Sequence, residues 1–372
     1  MKITSVELIS LKGPMLPVPM RPAWVPGLSL ARRGTHIVKI HTDEGIVGLG
    51  CPGYTVPANF ESWIKPQLIG QDPFAIEKHG AMLRMANGGW GVEIALWDII
   101  GKACGQPLYK LWGGFADAVP AYASFVEIRS PEQRAEDVLG IMEAGYLAVK
   151  LRLHDWTMRE DIAQVEAVRK AVGDKLVILV DATQAQQPGT TQLQPGPIWT
   201  EQRATQTARE LERLGVYWLE EPLDRYNYAG LTRLCSAVDI LIAGGENNVG
   251  LHEFRALIDQ NCYDIIQVET LVSEGIGQLR KVASYAEMHH KPIAPHHGGA
   301  GIGLAAHLHL CAAIPNATYL ELWHDPPCMT NELFQWYLKE PLTIDTNGMV
   351  AVPQKPGLGI ELDEEKIAMY RN

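Results

Sequence analysis

Between Val119 and His324 the chain repeats one unit: a short apolar or β-branched run, a polar stop, and in most repeats an amphipathic stretch of helical period. The runs are VPAYASF (119–125), LAVKLRL (147–153), LVILVDA (176–182), VYWLEEP (216–222), ILIAGGE (240–246), DIIQVET (264–270), KPIAPHH (291–297) and TYLELWH (318–324). The helical stretches include SPEQRAEDVLGIMEAG (130–145), TMREDIAQVEAVRKAVG (157–173) and TEQRATQTARELERLG (200–215). A helix between two strands carries the chain back, so the strands run parallel. Eight such strands at this spacing predict a closed α/β barrel rather than an open sheet, with its chemistry at the C-terminal strand ends.

The flanks differ. Residues 1–50 have the pattern of an antiparallel meander with a turn at DEG (43–45), and 73–104 read as helices closed by Gly105 and Pro107. We therefore divide the chain into an α+β domain (1–115), a barrel (116–334) and a C-terminal segment (335–372) that folds back on the first domain. MLPVPMRPAWVPG (15–27) has the makings of a lid. The uncharged QAQQPGTTQLQPGPIW (184–199) follows the third strand and belongs on the active face.

Composition excludes several partners. The 372 residues carry a net charge of −11, which opposes binding to nucleic acid or an anionic membrane. No apolar run approaches the roughly 18 residues that span a bilayer, and the N-terminus has no secretory core. The six scattered cysteines form no CxxC pair and read as free thiols in a reducing cytoplasm.

The strand ends concentrate charge: Lys150 and Arg152, Asp181, Glu220, Glu246, Glu269, His296 and Glu321. Lys150 and Arg152 share strand parity, as does His154 beyond them. Asp181, Glu220 and Glu246, on consecutive strands, would repel if unpaired, and an all-oxygen donor set of this kind suits Mg²⁺. Any one of them alone could instead cap a helix or pair with a surface cation. The adjacent Glu220 and Glu221 must point to opposite sides of a regular strand, so one of the two serves the site.

The stretches VEIALWDIIGKACGQPLYKLWGG (92–114), LAVKLRL, VDATQ, WLEEP, GGEN and APHH together resemble the enolase superfamily, of the mandelate racemase/muconate lactonising enzyme type. The resemblance spans nearly the whole chain. It implies an N-terminal capping domain on a (β/α)7β TIM-like barrel, Mg²⁺ held by Asp181, Glu220 and Glu246, and a symmetric homo-oligomer. It also implies that Glu220 faces the metal and Glu221 points away. Enolase-superfamily sites pair a Lys or His base with Mg²⁺ and remove a proton alpha to a carboxylate. By position, Lys150 adds positive charge, His296 is the base, Glu269 orients it, and Glu321, if protonated, donates to the oxyanion.

Three positions depart from the family's pattern: Arg152 where a second lysine is common, Thr183 where an asparagine is, and Glu269 where the histidine's partner is an aspartate. Arginine stays protonated and makes a poor base. A single base, His296, favours loss of water from an acid sugar, giving a 2-keto-3-deoxy acid. The alternatives are a racemase or epimerase, a cycloisomerase, and a metal-binding relative without turnover. Trp24, Tyr54, His154, Thr183, Asn247, His297 and His324 are the remaining candidates for contact with a small carboxylate substrate.

Overall fold

The computed structural model describes residues 1–52, 56–185 and 196–372. Tyr54 and most of the 184–199 stretch therefore lie outside the described residues. Near the N-terminus, strands β1 (Ile3–Leu11), β4 (Thr35–Thr42) and β5 (Val47–Gly50) form an antiparallel sheet in the order β1-β4-β5. The β4–β5 turn is the expected one, with Gly45 at φ +77°. The helix Gly91–Ala103 lies so close to β5 that a Cβ on Gly50 would stand 1.8 Å from the Gly91 carbonyl oxygen. A separate ribbon, β2 (Met15–Met20) with β3 (Leu30–Arg32), carries the proline-rich 15–27 segment. It is tied to the barrel where Ala23 N–H donates to Val126 O and Arg21 N–H to Glu127 Oε1.

The barrel strands are β6 (Ala118–Ser124), β7 (Ala148–Arg152), β8 (Val177–Asp181), β9 (Trp218–Glu220), β10 (Leu241–Gly244), β11 (Ile265–Ile266) and β12 (Leu320–Trp323). They are parallel, in the order β11-β10-β9-β8-β7-β6-β12. The seventh position, expected as a strand over 291–297, is reduced to Ile293, which bridges Ile266 on one side and Ala317 on the other and so closes the ring. Pro292 and Pro295 explain the reduction, because neither has an N–H to give a ladder. The helices after β6, β7 and β8 span Pro131–Glu143, Met158–Val172 and Glu201–Arg213, and start at capping residues Ser130, Thr157 and Thr200.

Strand alternation builds the interior. Tyr122, Ala148, Leu179, Trp218, Ala243, Ile265 and Ala294 fill the barrel as one apolar layer, while Val149, Leu151, Ile178, Val180, Leu219 and Ile242 face the helices. Two residues on from the inner layer come Ser124, Lys150, Asp181, Glu220, Gln267 and His296. Periodicity thus stacks a charged layer on the apolar plug. The C-terminal segment contributes β13 (Met349–Ala351), antiparallel to β6, and a helix, Glu364–Tyr370, whose Glu364 pairs with Lys39 at 2.7 Å.

One tie between the first domain and the barrel titrates. Glu93, 4% exposed, accepts from Gly277 N–H at 2.9 Å at the start of the helix Ile276–Met288. Burial raises its carboxyl to about 7. Between about 4.5 and 7 the folded chain keeps a proton that the unfolded chain has lost, so stability falls as pH rises through that window. Glu93→Gln should remove this fall, worth on the order of 3 kcal/mol. Melting curves of the two proteins that run parallel from pH 4.5 to 8 would refute the linkage. Among the described residues no helix is long and apolar enough to cross a membrane.

Candidate active site

A cavity of about 340 Å³ opens at the C-terminal strand ends. Its polar wall holds Arg152, Thr183, Glu221, Glu246, Asn247, Glu269, His296 and His297; Trp24, Pro52, Leu271, Val272 and Trp323 supply the apolar side. Beneath it lies a buried ionic layer. Lys150 Nζ donates to Glu220 Oε1 at 2.8 Å and forms an ion pair with Glu321 Oε1 at 3.1 Å. Gln267 Nε2 donates to the other Glu220 oxygen at 2.8 Å. Arg152 is locked between the Phe125 carbonyl (2.8 Å) and the Asp181 carboxylate, with the Trp24 ring 4.9 Å from its guanidinium carbon.

His296 stands between two carboxylates. Its Nδ1 meets Glu269 Oε2 at 2.7 Å, and its Nε2 lies 3.3 Å from Glu246 Oε2. Burial alone would lower the imidazole's pKa; Glu246, Glu269 and Glu321 together outweigh it and lift the ring to about 9. Glu269 is further held by the N–H groups of Gly298 (3.0 Å) and Leu271 (3.1 Å). Its extra methylene therefore does not keep it from the histidine.

Two expectations are corrected. Glu321 is paired as an anion with Lys150 at 3.1 Å, so the condition for donating is not met. Burial pushes its carboxyl up, but Lys150, His296 and Arg152 outweigh this and hold it below the ordinary carboxylate range. Glu221 does not point away. Strand β9 ends at Glu220, and Glu221 takes a left-handed backbone (φ +46°), which breaks the alternation and turns its carboxylate to the cavity. There it accepts from Asn247 Nδ2 at 3.0 Å, and the same amide donates to Glu246 at 3.2 Å.

Of the candidates for substrate contact, Trp24, Thr183, Asn247 and His297 line the cavity; His154 and His324 do not. His154 backs Thr183, Nδ1 to hydroxyl 3.0 Å, while Thr183 itself is left-handed (φ +50°) with its N–H on Asp181 at 2.6 Å. His324 accepts from Asn331 N–H at 3.2 Å and stacks on Tyr146. His297 Nδ1 accepts from Gly299 N–H at 2.8 Å, and burial with the neighbouring His296 keeps its ring neutral. Trp323 was missed, though it follows Glu321 by two residues and parity alone would have found it. Arg33, 4.1 Å from the Trp323 ring centre, comes from the end of the β2–β3 ribbon, and no local pattern announces it.

The donor set fits a divalent cation. Asp181, Glu220, Glu221, Glu246, Glu269 and Glu321 gather in this buried site against two permanent cations, Lys150 and Arg152, and one imidazole. That surplus of hard, anionic oxygens is what such an ion neutralises. Asp181, Glu220 and Glu246 do not touch one another as a compact group. Among the described residues the tight ligand clusters, with donor atoms within 4.8 Å, are Glu269–His296–His297 and Glu127–Asp325–Cys328. Each of the three is instead held by its own partner: Arg152, Lys150 and His296.

Residues 133–366 match the enolase C-terminal domain-like family, and residues 15–113 the mandelate racemase/muconate lactonizing enzyme N-terminal domain. The chain belongs to the mandelate racemase/muconate lactonizing enzyme family of the enolase superfamily. Within this family it is 30% identical to an arabinonate dehydratase of Saccharolobus solfataricus, over 90% of this chain and 89% of that one. It is 29% identical to a D-galactarolactone cycloisomerase of Agrobacterium fabrum, over 100% and 99% of the two chains. A racemase from Streptomyces coelicolor, solved with bound magnesium, superposes with a TM-score of 0.85 at 25% identity and covers 100% of both chains. Enolase-superfamily relatives of this chain thus include dehydratases, cycloisomerases and racemases.

Proposed function

We propose that this family member is a Mg²⁺-dependent acid-sugar dehydratase, which removes the proton alpha to a carboxylate and expels the β-hydroxyl as water. The observation that carries the reading is the asymmetry of the site. Of the two histidines at the cavity wall, His296 meets the Glu269 carboxylate at 2.7 Å, whereas the Nδ1 of His297 is taken by the Gly299 N–H. The second-strand position offers Arg152, whose guanidinium is pinned by a carbonyl and a carboxylate and does not release a proton. A cation held by Asp181, Glu220 and Glu246 would supply the Lewis-acid charge that stabilises an enediolate.

Lys150 adds a fixed positive charge beneath the cavity, held protonated because Glu220 and Glu321 outweigh its burial. Arg152 binds negative charge on the substrate side. Glu246 is the largest of the charges that hold the His296 ring protonated, so once Glu246 turns to the cation the ring gives up its Nε2 proton, takes the alpha proton there, and then returns it to the departing hydroxyl. Glu269 keeps the ring oriented throughout. The resemblance to an arabinonate dehydratase supports this assignment.

The test is a screen of an acid-sugar library with Mg²⁺, read by the appearance of 2-keto acids. Chelation should remove activity and Mg²⁺ restore it. Epimerised acid without 2-keto product, or turnover that survives exhaustive chelation, would overturn the proposal.

A further inference from the structure

His307 lies on the helix Gly301–Ala313, fully buried, and lines no part of the cavity. Both of its ring nitrogens are engaged by the main chain of the two strand ends that carry His296 and Glu269. The Thr270 N–H donates to Nε2 at 3.0 Å, and Nδ1 meets the carbonyl oxygen of His296. An amide N–H only donates and a carbonyl only accepts, so the ring proton sits on Nδ1 and Nε2 is bare. Burial favours this neutral form.

The position of that ring is informative. Between the sixth and seventh strand ends the direct main-chain bonds are Ile266 N–H to Pro292 O, Ala294 N–H to Ile266 O and His296 N–H to Val268 O. In a parallel ladder the next rung would run from Thr270 N–H to His296 O. The imidazole occupies that rung, taking the proton from one group and giving its own to the other. It joins the two ends through its two nitrogens where a direct bond would otherwise join them. At the same two ends Glu269 Oε2 accepts from both His296 and Gly298. His307 Nε2 stays 3.8 Å from Glu269 Oε1, too far for a hydrogen bond, so the ring acts through the backbone.

We propose that His307 is a positioning residue: its ring replaces a rung of the barrel ladder and sets the separation across which His296 and Glu269 work. The inference rests on the reading of His296 as the proton-transferring group, although the ring geometry can be tested without it. In the protein labelled with ¹⁵N-histidine, His307 should show the less common Nδ1–H tautomer, and an Nε2–H tautomer would overturn the proposal outright.

The variants test the consequence. His307→Leu loses both contacts, His307→Gln keeps an acceptor for Thr270, and His307→Asn keeps a donor for His296. On an acid sugar found by the screen, His307→Leu should lower kcat roughly 10- to 100-fold with KM nearly unchanged, as expected for a misplaced reacting group. Gln and Asn should each recover part of the loss. A folded His307→Leu with wild-type kcat, or one whose KM rises while kcat holds, would sink the idea. If no acid sugar is turned over, the functional reading fails on its own, and the His296 ring signals decide: they should shift in His307→Leu, and unshifted signals would refute positioning. If His307→Leu does not fold, the tautomer and the two amide variants carry the test.

Discussion

His296→Asn is expected to lower turnover by about 10²–10⁴-fold, the usual contribution of a positioned acid–base group, while metal and substrate affinity change little. Asparagine leaves a polar group beside Glu269 but has no titratable nitrogen at the Nε2 position. The imidazole's contribution appears in the transition state, so the loss belongs in kcat rather than in binding. Substrate incubated in D₂O isolates the step. The variant should show no exchange of the alpha hydrogen with either configuration at the alpha carbon. Arg152→Lys is the companion. It sacrifices the guanidinium's contacts to the Phe125 carbonyl and the Ser124 hydroxyl and introduces an amine with a tunable pKa on the opposite strand. Near wild-type exchange in His296→Asn would place the base on the second strand, and the epimerase reading would then lead.

How far the site could be read in advance depended on where each residue sits relative to the end of its strand. Lys150, Arg152, Asp181, Glu220 and Glu321 lie within barrel strands, where a period of two dictates the inward face. Glu269 and His296 continue that parity past short strands because main-chain bonds such as His296 N–H to Val268 O hold the backbone in line. Glu221 and His154 lie one and two residues beyond the last strand residue, where the alternation no longer holds, whereas His324, next to the inward Trp323, faces out as the alternation requires. Glu221 turned into the cavity against parity and His154 turned out of it. Arg33 and His307 come from a ribbon and a helix, and their register against the barrel is a tertiary fact with no local signature. The charge state of Glu321 was hidden for another reason: it depends on Lys150 standing 3.1 Å away, which parity does not specify. The fold itself was plain, because eight apolar runs separated by amphipathic segments leave few other closed arrangements.

The two adjacent glutamates of WLEEP give the last and sharpest test. Strand parity says that only one of them serves the site, and the family resemblance implies that this one is Glu220. Geometry says otherwise. Glu220 is held by Lys150 and Gln267 below the cavity, whereas Glu221 lines the cavity, 2% exposed, beside Glu246 and with no cation paired to it among the described residues. A buried carboxylate without a counter-charge is costly, and burial together with Glu246 and Asp181 raises its pKa well above the ordinary range. A divalent ion nearby would relieve that repulsion, so the negative charge of Glu221 should favour the ion even if it never ligates directly. Titrating the metal-free protein with Mn²⁺ by calorimetry or electron paramagnetic resonance measures this without any turnover. On the proposed assignment Glu220→Gln should lose the most affinity, since it removes one of the three proposed ligands and leaves Lys150 and Glu321 to pair alone. Glu221→Gln should also weaken binding, by about tenfold, or 1.4 kcal/mol, with Glu221→Asp recovering part of it. Unchanged affinity in Glu221→Gln would mean that the wild-type carboxyl carries a proton and that the amide merely replaces a neutral acid. The left-handed turn would then serve to bring a hydrogen-bond donor, not a charge, into the cavity.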